Sequence, residues 1–81
     1  MITIAQPHEH AAIFQDPADF DEFKRMPNPD FDGIVDVWGQ RKGEQGLSLV
    51  AILADSVSWT LAEFRAYLKE SSYDPIEMIE A

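Results

Sequence analysis

The stretch that decides the fold is Gly33–Leu53, with the sequence GIVDVWGQRKGEQGLSLVAIL. Two segments rich in Val, Ile, Leu and Trp flank a polar centre that contains glycine, a pattern typical of a β-hairpin. Gly43 can supply the positive φ that a tight turn needs. A two-residue loop at Lys42 and Gly43 would place Arg41 opposite Glu44, a favourable charge pair across the strands.

This loop also predicts which side chains share a face. It places Trp38 opposite Leu47 and leaves both faces apolar. One face carries Ile34, Trp38, Leu47, Leu49, Ala51 and Leu53, and the other carries Val35, Val37, Val50 and Ile52. A one-residue slip would reverse these assignments, and Gly39 and Gly46 are also compatible with a longer loop. Because both faces are apolar, either helices cover both or one is reserved for a partner.

The segment before the hairpin predicts a helix. Asp16-Pro17-Ala18-Asp19 is a typical helix start, since Asp16 can cap free amide groups and Pro17 suits the first turn. The helix would run to about Met26, where Pro27 stops it.

The segment after the hairpin predicts two more helices. Thr60-Leu61-Ala62-Glu63 is a capping-box pattern, followed by a helix to about Glu70. Asp74-Pro75 indicates a last short helix, which Ile76 and Ile79 could hold against the body of the protein.

The N-terminal segment is less definite. Met1–Ala5 alternates isoleucine with polar residues and indicates a short strand, whereas residues 6–15 fit either a strand or a helix. The chain therefore predicts one α+β domain over residues 1–81. Its small antiparallel sheet comprises the hairpin, at about residues 33–53, and a possible N-terminal strand, packed with two to three short helices.

Composition narrows the class of protein. The 81 residues suffice for one domain, and the apolar fraction of 46% is that of a folded chain. There is no cysteine, which excludes disulfides and cysteine-zinc sites. No signal peptide is recognisable, and the longest apolar run, Leu49–Ala54, is too short to span a membrane. The sequence therefore predicts a cytoplasmic protein without a membrane partner.

Charge indicates the kind of partner. Fifteen acidic residues face six basic ones, which gives a formal charge of −9. Such a chain is repelled by nucleic acid and by anionic membranes and is attracted to basic surfaces. We therefore expect a basic protein partner, such as a nucleic-acid-binding complex, and no direct contact with nucleic acid.

Two segments loosely match metal sites. His8 and His10 would point the same way on a strand, but the zinc-protease pattern needs a histidine where Ala12 stands. Asp30-Phe31-Asp32-Gly33 lacks the spacing of a calcium loop. No nucleophile with its base and no phosphate-binding loop is present. The sequence predicts neither a metal nor another cofactor, and it does not predict an enzyme.

The acidic residues are concentrated between Asp16 and Asp36. Those at helix starts have a local explanation in the helix dipole, but several others have none. Phe31 and Trp38 lie beside these acids and could act as apolar anchors in an interface. The predicted partner-binding residues are therefore Asp21, Glu22, Asp30, Phe31, Asp32, Asp36 and Trp38.

In size, net charge and acid clustering, the chain resembles the small acidic inhibitors that phages encode, including anti-CRISPR proteins and nucleic-acid mimics. The resemblance implies that the protein inhibits a basic, nucleic-acid-processing target in the host cytoplasm, with carboxylates standing in for phosphates. The alternative is a homo-oligomeric structural or adaptor module, for instance a homodimer, that uses an apolar face of the hairpin.

Overall fold

The computed structural model describes residues 5–81 of the chain. These residues form five antiparallel strands, one α-helix and one short 3-10 helix. The elements are β1 (Glu9–Ile13), a 3-10 helix (Pro17–Asp19), β2 (Glu22–Pro27), β3 (Ile34–Gln40), β4 (Ser48–Asp55), α1 (Leu61–Glu70) and β5 (Glu77–Ile79). The strands make one sheet in the order β2-β3-β4-β1-β5. The α+β class is confirmed, but the described chain has one α-helix where two to three were predicted.

The predicted hairpin is present as β3 and β4, although its register is wrong. Ile34 pairs with Ala54 and Gly39 with Ser48, so residues 41–47 form a seven-residue loop instead of a two-residue turn. Gly43 and Gly46 both have positive φ in this loop, at 80° and 89°. The longer loop, which Gly46 also allowed, is therefore the correct alternative.

The new register reverses the predicted faces of residues 51–53 relative to β3, whereas Trp38 and Leu49 share a face as predicted. Val35 and Val37 pair with Leu53 and Ala51, respectively, and lie with them on one side of the sheet. Ile34 lies on the other side with Ile52 and Ala54. A bulge follows Val37, so that Trp38 pairs with Leu49.

The predicted helix from Asp16 to about Met26 is wrong. Its start is real, because Asp16 accepts a hydrogen bond from the Ala18 amide and a single 3-10 turn forms at Pro17–Asp19. The chain then becomes extended, and β2 pairs along its whole length with β3, from Glu22 opposite Gln40 to Pro27 opposite Val35. Pairing with the sheet overrides the helical preference of the segment.

Helix α1 is confirmed at its predicted bounds. The Thr60 hydroxyl accepts from the Glu63 amide at 3.1 Å, and the Glu63 carboxylate accepts from the Thr60 amide at 2.9 Å. These reciprocal bonds are the predicted capping box. Phe64 and Leu68 are the buried residues of the helix and fix its orientation on the sheet.

The predicted last helix is wrong. Residues 77–79 form β5, which pairs with β1 through Ala11 opposite Ile79 and Ala12 opposite Met78. Met78 packs against the core, whereas Ile76 and Ile79 are 71% and 44% exposed. The two isoleucines therefore do not hold the segment against the protein body.

The other ambiguous segments are now assigned. Residues 9–13 of the ambiguous stretch form β1, which lies between β4 and β5. The predicted N-terminal strand falls on Met1–Ala5, of which residues 1–4 lie outside the described residues.

The sheet has a buried cluster on each face. Helix α1 covers the first, in which Phe64 and Leu68 pack with Ala12, Ile34, Ile52 and Ala54. No α-helix among the described residues covers the second, which contains Ala11, Ile13, Val37, Ala51 and Leu53, all at most 5% exposed. Ala5, Phe23 and Val35 pack against this second cluster.

An ion pair also crosses the second face. Arg25 on β2 donates two hydrogen bonds to the Glu9 carboxylate on β1, at 2.8 and 3.2 Å. Strands β3 and β4 lie between these partners, so the pair requires a curled sheet. Burial raises the pKa of Glu9, but hydrogen bonds from Arg25 and the Gln6 amide, with the Arg25 charge, outweigh it and hold that pKa below its ordinary value of 4.5.

A candidate partner-binding surface of aromatic and acidic residues

Three aromatic rings meet where the β2–β3 loop approaches the start of α1. The ring of Phe31 lies 5.0 Å from that of Tyr67 and 6.3 Å from that of Trp59. The rings of Trp59 and Tyr67 are 5.6 Å apart. The mutual angles of about 60° are those of edge-to-face packing, which stabilises such clusters.

Hydrogen bonds fix the cluster in place. The Trp59 indole nitrogen donates to the Asp32 carbonyl at 2.8 Å, which ties the segment before α1 to the β2–β3 loop. The Asp30 amide donates to the Asn28 side chain at 2.8 Å and closes a turn just before Phe31. Phe31 nevertheless remains 44% exposed. Its ring is thus fixed in position by its neighbours and partly exposed to solvent. Aromatic side chains of this type anchor protein interfaces.

Carboxylates surround this cluster. Asp30 and Asp32 are exposed on the loop, and Asp36 is half-buried on β3. None of the three forms an ion pair with another residue in the range 5–81. We call Asp30, Phe31, Asp32, Asp36, Trp59 and Tyr67 the aromatic–acidic surface.

The pKa values reflect these surroundings. Burial raises the pKa of Asp36 above its ordinary value of 3.8. Burial, followed by the negative charge of Asp36, raises the pKa of the Tyr67 hydroxyl, and the charge of Asp30 contributes in the same direction. Burial is the largest cause of both shifts, so a negative charge on either group is disfavoured in the folded chain.

Trp38, a further predicted site residue, is half-buried on β3. It is two residues beyond Asp36, and side chains two apart on a strand share a face. Trp38 therefore belongs to the same side of the sheet as Asp36, although the bulge after Val37 lies between them.

Asp21 and Glu22 do not belong to this surface. They lie where β2 begins, whereas Asp30, Phe31 and Asp32 follow its end. Five strand residues, Phe23 to Pro27, lie between the two groups and span about 17 Å. Asp21 and Glu22 instead line a cavity of about 210 Å³ together with Arg41 and Lys42. The predicted set of seven residues is thus spread along β2, with Asp36 opposite Met26 near its end and Trp38 opposite Lys24 nearer its start.

Trp59 and Tyr67 were not predicted from the sequence as members of the surface. Trp59 directly precedes the capping residue Thr60, a position where an apolar residue often packs back on the first turns of a helix. That signal could have placed Trp59 near α1. Its contact with Phe31, 28 positions away in the sequence, depends on the course of the β2–β3 loop and is not encoded locally.

The two histidines differ in their surroundings and are not arranged as a metal site. His8 is exposed, whereas His10 is buried on β1. Both ring nitrogens of His10 are engaged: Nδ1 accepts from the Ala81 amide at 3.0 Å, and Nε2 lies 3.0 Å from the Trp59 carbonyl. Within residues 5–81 no group of three or more His, Asp or Glu side chains is arranged to hold a metal ion.

The apolar hairpin face needed by the oligomer alternative is buried. Val37, Ala51 and Leu53 are completely inaccessible to solvent. The opposite face of the hairpin is covered by α1. Neither face therefore offers an extended apolar surface to a second copy of the chain.

Comparisons with family models, with curated proteins and with solved structures found no match to this chain. Helix α1, with 10 residues, falls short of the length needed to cross a membrane, and no other α-helix occurs in residues 5–81. The function is therefore inferred from the geometry of the aromatic–acidic surface.

Proposed function

We propose that this protein binds and inhibits a basic, nucleic-acid-processing protein through the aromatic–acidic surface. The observation that carries the proposal is the exposed ring of Phe31, held between Asp30 and Asp32, which have no cationic partner in the described chain. Such an arrangement joins an apolar anchor to charges that favour lysine and arginine side chains. In this role the protein acts like an anti-CRISPR protein or a nucleic-acid mimic, in the cytoplasm of the host cell.

Asp36 has a distinct part in this proposal. Its carboxylate is half-buried beside Tyr67, and no cation of the described residues neutralises it. An arginine of the target could pair with Asp36 and stack against the aromatic rings at the same time, because guanidinium groups do both. The net charge of −9 would speed the encounter with such a target.

The test compares three proteins as bait in host lysate. These are the wild type, the triple variant Asp30→Asn, Asp32→Asn, Asp36→Asn, and a control with the same change in net charge, Asp19→Asn, Glu70→Gln, Asp74→Asn. We expect the wild type and the control to retain similar amounts of the same basic protein, which high salt releases. The amount that the site variant retains should be at least about tenfold smaller. The measurement is quantitative mass spectrometry at low and high salt.

A second step tests inhibition. The retained protein is purified, and its nucleic-acid binding is measured with increasing amounts of each variant. Wild type should displace the nucleic acid and the site variant should not. If the control loses retention as much as the site variant does, net charge alone drives binding and the aromatic–acidic surface is not the site.

A further inference from the structure

The two edges of the sheet differ in how well they are protected. Edge strand β2 carries Lys24, Arg25 and Pro27, and charges and prolines are features that prevent an edge from pairing with another chain. Edge strand β5 has only three residues, and its one charge is the carboxylate of Glu77, which repels an acidic chain but favours a basic one. Its outer side pairs with no strand of residues 5–81.

Apolar side chains are exposed along this second edge. Ile79 is 44% exposed on β5, and Ile76, just before the strand, is 71% exposed. Ile79 also lines a cavity of about 540 Å³, together with Ala11 and Ile13 of β1. An unpaired strand edge next to an apolar cavity is the arrangement to which extended peptides add as a further strand.

The charged residues near this edge indicate which kind of chain would bind there. The charged residues that line the cavity are Glu9, Asp16, Glu77 and Glu80, and no lysine or arginine lines it. Glu9 is already paired with Arg25, which leaves three carboxylates without an ion-pair partner in the described chain. A second copy of this chain would bring the same carboxylates together, and like charges at close range are unfavourable.

We propose that the outer edge of β5 and the adjacent cavity bind an extended segment of a partner protein in which apolar and basic residues alternate. The segment adds to the sheet as a sixth strand beside β5. Because side chains of a strand alternate between the two faces of a sheet, its apolar side chains contact Ile76 on one face. Its basic side chains lie on the cavity face, where their aliphatic stems cover Ile79 and their charges pair with Glu77 and Glu80.

This surface is separate from the aromatic–acidic surface. The aromatic–acidic surface includes Tyr67 of α1 and lies on the side of the sheet that α1 covers, whereas the cavity is lined by Ala11 and Ile13, which face the opposite side. The proposal therefore does not depend on the proposed function, and the two can fail independently.

The test uses three fluorescent ten-residue peptides as probes. The first alternates valine and lysine, the second alternates valine and glutamate, and the third is the lysine peptide with every backbone amide N-methylated. We expect the first to bind in fluorescence anisotropy, and the other two to bind at least about tenfold more weakly because they lack either the charge or the strand hydrogen bonds. Hydrogen exchange of the bound protein should show new protection in β5.

Variants locate the site. Ile76→Ser with Ile79→Ser should weaken binding of the lysine peptide about tenfold, as should Glu77→Gln with Glu80→Gln. Val57→Ser is the matched control, since Val57 is an apolar residue that is 89% exposed between β4 and α1. Circular dichroism and urea denaturation verify that each variant is folded. The Asp30, Asp32 and Asp36 triple variant should bind the peptide as the wild type does.

Several results would overturn the proposal. One is failure of the lysine peptide to bind, and another is equal binding of its N-methylated form. A third is a concentration-dependent dimer in sedimentation that the Ile76 and Ile79 substitutions abolish, because the occupant would then be a second copy. If the peptide binds normally while target retention is absent, the proposed function fails and this inference stands.

Discussion

Gly39 lies on β3 at a point where a side chain has no room. A Cβ atom built there would lie 2.6 Å from the ring of Phe20 and 2.7 Å from a methyl group of Val50. Both neighbours are buried, so neither can move into solvent. By sequence alone, Gly39 is compatible with a longer loop. It is instead a strand residue whose lack of a side chain allows Phe20 to pack against the sheet.

We therefore expect Gly39→Ala to lower the free energy of unfolding by about 1–3 kcal/mol, the usual cost of overpacking a core. Urea denaturation measures the change. Gln45→Ala, in the exposed β3–β4 loop, is the control and should lie within about 0.5 kcal/mol of the wild type. A Gly39→Ala protein as stable as the wild type would show that Phe20 does not pack as described.

His10 illustrates a buried polar side chain that serves the fold. Because its Nδ1 accepts from the Ala81 amide, its Nε2 carries the hydrogen and donates to the Trp59 carbonyl. The ring also stacks on Phe64, with the centroids 6.4 Å apart. His10 thus links β1 to Trp59, two residues before α1, and to Ala81, after β5.

His10→Phe retains the ring and removes both hydrogen bonds. We expect a loss of about 1–3 kcal/mol of stability, because the Trp59 carbonyl is left without its partner. Faster hydrogen exchange in β5 should accompany the loss. Unchanged exchange in β5 would mean that the bond to Ala81 does not hold this strand in place.

At the scale of elements, local signals were sufficient for α1 and insufficient for β2. The side chains of Thr60 and Glu63 each accept a hydrogen bond from the other residue's backbone amide. The capping box therefore determines the start of the helix through residues that are close in the sequence. The start signal at Asp16 and Pro17 is just as local and produces its turn. The extended conformation after this turn was not predictable from the segment itself, because β2 exists through its pairing with β3.

Distance along the sequence explains which parts of the site were predicted. Asp30, Phe31 and Asp32 are adjacent in the sequence, so their proximity could be predicted without knowledge of the tertiary structure. Trp59 joins them only through the hairpin and the loop after β4, which no local pattern specifies. Asp21 and Glu22 were grouped with them by sequence distance, and an intervening strand was not anticipated.

This difference gives a prediction about partner binding. Asp21→Asn with Glu22→Gln should reduce target retention by less than about threefold, because both residues lie beside Arg41 and Lys42 at the opposite end of β2. The pair is compared with Asp30→Asn, Asp32→Asn in the same retention measurement. A larger loss from the Asp21 and Glu22 pair would move the interface to the other end of the sheet.

Across the whole molecule, the stability of the fold and its proposed function oppose each other at Asp36. Its pKa is raised in the folded state, so its ionised form is less stable there than in the unfolded chain. This penalty is present at neutral pH and disappears as the pH falls through the raised folded pKa. The sign is opposite to that of Glu9, whose pKa is lowered and whose contribution is lost as the pH falls.

We expect Asp36→Asn to be more stable than the wild type at pH 7 and to lose that advantage below about pH 4. Thermal denaturation at a series of pH values measures the difference. The same variant should bind the target more weakly, as is usual where a functional residue is strained. A variant that is less stable at pH 7 would mean that the Asp36 carboxylate is stabilised by the fold.

Glu9→Gln should show the opposite pH dependence. Its stability relative to the wild type should be lowest at neutral pH and should approach that of the wild type as the pH falls below about 4. The reason is that the charge that Arg25 stabilises is then lost from the wild type as well. An equal deficit at every pH would assign the role of Glu9 to packing.

Net charge gives the last prediction. With 15 acidic and 6 basic residues, the folded chain concentrates negative charge in a small volume, and its self-repulsion opposes folding. Salt screens this repulsion, with a Debye length that falls from about 30 Å at 0.01 M to about 10 Å at 0.1 M. It also screens attraction to a basic target.

Raising KCl from about 0.01 to about 0.3 M should therefore stabilise the protein against urea while it weakens target binding. The Asp19, Glu70 and Asp74 control should show a smaller gain in stability. If salt lowered the stability of the wild type, favourable ion pairs such as Glu9–Arg25 would outweigh the repulsion, and the acidic surface would have no cost to the fold.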